Sequence, residues 1–60
     1  MSEKLLTVAE LATVLNTSKF TIYRMVRDNL IPYYDLRGGY RFSLNEVLTT
    51  LQSKSHANRD

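Results

Sequence analysis

The stretch Ser18–Ile31, SKFTIYRMVRDNLI, decides how the rest of the chain is read. Its spacing predicts one short amphipathic helix. Ser18 is placed to serve as N-cap, its hydroxyl accepting a backbone N–H from the first turn. Ile22, Met25 and Val26 recur at helical spacing and form an inner stripe. Asn29 tolerates the left-handed conformation that ends helices. Pro32 has no N–H and stops the helix from resuming. The other face carries Lys19, Phe20, Thr21, Tyr23, Arg24 and Arg27, with no carboxylate before Asp28. A solvated helix face usually mixes both signs of charge, so a face of one sign points to an anionic partner.

Upstream, Thr7 and Glu10 have capping-box spacing. Val8, Leu11, Ala12 and Leu15 follow at i, i+3, i+4 and i+7, an apolar stripe on a first helix. Asn16 reads as its C-cap. So short a turn between two helices, each apolar on one face, predicts a helix-turn-helix.

Downstream the period changes. Tyr33 to Arg37 and Tyr40 to Ser43 alternate and are rich in rings, with Gly38-Gly39 between them. That is a hairpin signal. A three-residue loop over Arg37, Gly38 and Gly39 would pair Leu36 with Tyr40, Tyr34 with Phe42 and Asp35 with Arg41. This register sorts apolar from charged and is the expected one, with Arg37 at the tip. Ser43 and Glu46 form a second capping box. Leu44, Val47, Leu48 and Leu51 then predict a third helix from about Leu44 to Ser53, with Val26, Phe42 and Leu48 meeting in the core. The fold class expected is mainly α with a small β-hairpin: a winged helix-turn-helix in the order helix, helix, strand, strand, helix. Residues 5–53 form the expected domain, and residues 54–60 a polar, disordered tail.

With 60 residues there is room for one domain at most. Absence of Cys rules out disulfides and thiolate metal sites. The net charge of +2 is mild, so the placement of charge has to carry any inference about nucleic acid. No apolar run approaches the ~20 residues of a membrane span, and MSEKLL does not have the form of a signal peptide. A cytoplasmic protein is expected. Catalysis fails on inventory. His56 is the only histidine, it sits in the polar tail, and neither a Ser/His/Asp set nor a metal cluster can be drawn. No enzyme activity, metal or cofactor is expected.

The runs LLTVAELATVLNTSKFTIYRMVRDNLIPYY and RGGYRFSLNEVLTTL resemble the excisionase-type, MerR-like winged helix-turn-helix proteins. The matching marks are Leu-Thr-x-x-Glu, then Ser-x-x-Thr-Ile-Tyr-Arg, then Leu-Ile-Pro, then a glycine-bearing wing with Tyr-Arg-Phe. The resemblance covers about Leu5 to Leu51. It implies double-stranded DNA binding, with the second helix in the major groove and the wing on the backbone or in the minor groove. Related modules act as excisionases or recombination directionality factors beside an integrase, as small repressors, or as packaging-initiation subunits. This chain shows neither the long dimerisation helix nor the effector domain of full MerR regulators, so effector sensing is not expected. A monomer, or a weakly self-associating protein cooperative on adjacent DNA sites, is.

The candidate DNA-binding residues are Ser18, Lys19, Phe20, Thr21, Tyr23, Arg24, Arg27, Arg37 and Arg41. Arg24, Arg27, Arg41 and one of Lys19 or Arg37 are the expected phosphate contacts. An exposed Phe20 could meet a thymine methyl; alternatively it tucks against the first helix or the wing. Arg41 meets phosphate or pairs with Asp35, and Arg37 is free to enter a minor groove. The rival class is a protein-interaction adaptor that presents the rings of Tyr33, Tyr34 and Tyr40.

Overall fold

A computed structural model describes residues 4–59, with side chains described through Ser53. Helix α1 is Val8–Val14 and helix α2 is Lys19–Arg27. Both begin as expected. Thr7 Oγ1 accepts the Glu10 N–H at 3.1 Å, and the Glu10 carboxylate accepts the Thr7 N–H at 2.9 Å. Ser18 Oγ accepts the Thr21 N–H at 3.1 Å.

The two helices also end alike. Leu15 caps α1 and Asn16 follows at φ 57°; Asp28 caps α2 and Asn29 follows at φ 56°. Asn16 therefore lies one position beyond the C-cap assigned to it from sequence. The Asn16 N–H bonds to the Thr13 carbonyl at 3.1 Å and Thr17 to Ala12 at 2.8 Å. Asn29 likewise bonds to Val26 at 3.0 Å and Leu30 to Met25 at 2.8 Å. Each is a Schellman closure, with asparagine where the left-handed residue is required. The first turns the chain straight from α1 into α2.

Strands β1, Tyr34–Leu36, and β2, Gly39–Arg41, form an antiparallel hairpin. The pairs are Tyr34 with Arg41, Asp35 with Tyr40 and Leu36 with Gly39, so the loop is the two residues Arg37 and Gly38. This corrects the three-residue loop expected. That expectation assumed a buried face on β1, and every residue of β1 is exposed. Side-chain polarity therefore exerts no force on register. Nor is Tyr34 the ladder partner of Phe42; Leu6 is. The Leu6 N–H donates to the Phe42 carbonyl at 2.8 Å, and the Phe42 N–H to the Leu6 carbonyl at 2.9 Å. Gly39 has φ 120°, a conformation that side-chain-bearing residues rarely adopt.

Helix α3 is Leu44–Arg59. It runs past the Ser53 end expected, so the stretch read as a disordered tail carries helical backbone as far as Arg59. No Gly or Pro follows Gly39 to interrupt it. Ser43 Oγ accepts the Glu46 N–H at 3.3 Å, and the Glu46 carboxylate accepts the Tyr34 hydroxyl at 3.2 Å, tying β1 to α3.

Val8, Leu11, Ala12, Ile22, Val26, Ile31, Phe42 and Val47 form the buried core. Phe42 and Val26 lie there as expected. Leu48 does not: it is 44% exposed, and Val47 is fully buried. The two stand 100° apart at opposite edges of the α3 stripe. A domain this small offers α3 one wall, and that wall faces the Val47 edge.

Candidate nucleic-acid interface

Ile22 and Val26 bury one side of α2. At 100° per residue, Phe20, Arg24 and Arg27 fall together on the far side. Lys19 and Tyr23 fall on the flank toward the hairpin, and all five are exposed. Arg24 and Arg27 stand in the last turn, where the negative end of the helix dipole favours cations. Arg27 Nε meets Asp28 Oδ1 at 3.2 Å, both side chains well exposed. Such surface pairs contribute only ~0.2–1 kcal/mol, so the pairing does not remove Arg27 from an anionic ligand.

Phe20 is 69% exposed, which disposes of the alternative that it tucks against α1 or the hairpin. Its company is Arg24, whose Cζ stands 5.9 Å from the ring centroid. Ser18 and Thr21 are occupied with the cap. Besides accepting the Thr21 N–H, Ser18 Oγ donates to Thr21 Oγ1 at 3.1 Å. Their first duty is to start α2, and the hydroxyl proton left for a ligand is that of Thr21.

Between the start of α1, the flank of α2 and the hairpin lies a cleft of about 300 Å³. Lys19 and Tyr23 line it from α2, Thr7 and Ala9 from α1, and Gly38 and Arg41 from the hairpin. Arg41 is half-buried and folds back over the turn, its Nη1 donating to the Tyr40 carbonyl at 2.9 Å. A Cβ built on Gly38 would stand 3.4 Å from Arg41 Nη2. Asp35 faces Tyr40 across the hairpin rather than Arg41, so the Asp35–Arg41 pairing considered from sequence is not the arrangement found. Arg37 is exposed in the turn, at the tip as expected.

Rings join the cleft walls. Tyr40 meets Tyr33 edge-on with centroids 5.3 Å apart, and lies 6.3 Å from Tyr23 of α2. Tyr40 thus links hairpin to helix, a role that its alternating position in a strand does not reveal. The α1 wall was also missed, because its capping residues read as purely structural. One carboxylate borders this cationic region. The bond from the Thr7 N–H holds the Glu10 carboxyl below the ordinary carboxylate range, and the charges of Lys4 and Arg41 act in the same direction.

Among the described residues, no helix is long and apolar enough to cross a membrane. Neither a curated protein nor a solved structure matches the chain significantly. The family model described as a helix-turn-helix domain matches residues 5–55. The capped pair α1–α2, the carboxylate-free outer face of α2 and this match lead to one assignment: the chain belongs to the helix-turn-helix domain family and is a DNA-binding protein.

Proposed function

We propose that the protein binds double-stranded DNA sequence-specifically, as an excisionase-type recombination directionality factor or a small transcriptional regulator of a mobile element. The observation that carries this is the outer face of α2. Phe20, Arg24 and Arg27 project together from a helix whose exposed side has no acid until Asp28. That face enters the major groove. Arg41 and Lys19 take the flanking phosphates at the cleft, Tyr23 and Thr21 add hydroxyl contacts, and Arg37 reaches along the flank from the wing tip. Bound protein bends DNA, blocks a promoter or recruits a larger enzyme such as an integrase. One monomer covers few base pairs, so copies on adjacent sites supply useful specificity.

The adaptor reading is weaker on this geometry. Tyr33 and Tyr40 spend their rings on each other, and Tyr34 spends its hydroxyl on Glu46. Salt separates the two readings. With Lys19, Arg27, Arg37 and Arg41 on phosphates, log K against log salt should fall with a slope of roughly −3 to −4. A slope near zero on duplex DNA would sink this function.

A further inference from the structure

Resting on that DNA-binding reading, we infer that Phe20 and Arg24 act as one reading unit for a thymine next to a guanine. The two are one helical turn apart at the centre of the exposed face, and the guanidinium lies 5.9 Å from the ring centroid. Among the described residues Arg24 has no ion pair to hold it; the one carboxylate contact on α2 belongs to Arg27. The ring is therefore the partner that orients the guanidinium. A guanidinium supported on an aromatic ring loses less freedom when it binds, and its in-plane N–H fork stays free at the edge. That fork matches the O6 and N7 acceptors of guanine in the major groove.

The ring supplies the second half. Phe20 leaves most of its surface in water with no protein cover. In the major groove the apolar feature it can cover is the thymine C5-methyl. Neighbouring base pairs rise ~3.4 Å and their groove edges are offset sideways by twist. Two groups 5.9 Å apart therefore address adjacent base pairs. This moves Arg24 out of the phosphate set expected from sequence and into base reading. Lys19, Arg27, Arg37 and Arg41 remain as the backbone contacts.

The test begins by selecting sites from a random 14-bp duplex pool with the full chain. Selected sites should contain adjacent thymine and guanine. Replacing that thymine with deoxyuridine removes one methyl and should weaken wild-type binding about four-fold. Replacing the guanine with 7-deazaguanine removes one acceptor of the fork and should weaken it further. Phe20→Ala should bind the thymine and deoxyuridine duplexes equally. Arg24→Ala removes the fork and its donors and should become indifferent to the deazaguanine change. If the wild type selects a site yet ignores both base modifications, the reading unit is overturned and DNA binding stands. If no site is selected and binding is independent of salt, the DNA-binding function itself falls, and this inference with it.

Discussion

Leu6 and Phe42 exchange both of their backbone hydrogen bonds, at 2.8 and 2.9 Å. The residue before the α1 cap is thereby tied to the residue after the wing. The hairpin alone is a three-pair ribbon, marginal in water. Pairing with the lead-in extends the β2 ladder to Phe42, whose ring is fully buried. The wing is held to the helix pair by backbone as well as by core.

Leu6→Pro removes the donor of one of these bonds and leaves the Phe42 carbonyl unpaired. An orphaned buried group costs ~1–3 kcal/mol. The variant should melt earlier, and the Phe42 amide should lose protection from hydrogen exchange. Retained protection with an unchanged melt would show that the lead-in is dispensable.

The α3 contact makes a paired prediction. Val47→Ala empties a fully buried site and should cost roughly 1.5–3 kcal/mol. Leu48→Ala trims a side chain already 44% exposed and should cost under about 1 kcal/mol. Thermal melts of the two variants decide it, and a larger loss for Leu48→Ala would mean that α3 packs by its other edge.

What was legible in the sequence was what is local. Thr7, Ser18, Asn16 and Asn29 act on backbone groups within five residues, so their types and spacing announce the two helices and the turn. Phe20 and the cations of α2 were legible for the same reason. Register was not, because an exposed β1 gives side chains no vote, and the residue that does pair with Phe42, Leu6, is distant in sequence. Nor was the choice between Val47 and Leu48, since the apolar period is satisfied by either edge and only the docking angle selects one. Tyr40 and the fold of Arg41 over the turn depend on how wing and helix meet, which no spacing within either element encodes.

The wing glycines should differ. Gly39 has φ 120°, so Gly39→Ala is strained whatever the space around it, and should cost at least ~1–2 kcal/mol. Gly38→Ala meets only the flexible end of Arg41, at 3.4 Å, and should cost little. Each kcal/mol shifts the melting temperature of so small a domain by ~4–8 °C. Equal melting temperatures would show that the hairpin turn tolerates a different backbone.

Acid should loosen the start of α1. The Thr7 N–H, aided by Lys4 and Arg41, lowers the Glu10 pKa from its ordinary 4.5. A carboxyl with a lower pKa in the folded state stabilises the fold above its unfolded pKa. That contribution fades as pH falls through the lowered folded value. Melts from neutral pH to pH 3 should therefore show wild type losing more stability than Glu10→Gln, which keeps an acceptor but cannot titrate. Parallel curves would mean that the capping carboxylate adds nothing by its charge.

Reading and gripping should come apart at Phe20 and Arg41. Phe20 stands in the first turn of α2, the end by which a recognition helix enters the groove. Arg41 lies at the cleft rim, folded over Gly38, and the proposed docking puts it on backbone phosphate rather than on base edges. Losing a base contact penalises the preferred site by ~1–3 kcal/mol and spares random DNA. Losing a phosphate contact weakens both alike and makes the salt slope shallower by about one unit. Phe20→Ala should therefore relax sequence preference, while Arg41→Ala should lower affinity and leave the preference intact. Binding to preferred and scrambled duplexes at two salt concentrations measures both. If Arg41→Ala erased the preference and Phe20→Ala changed nothing, the wing would be the reader and α2 the grip.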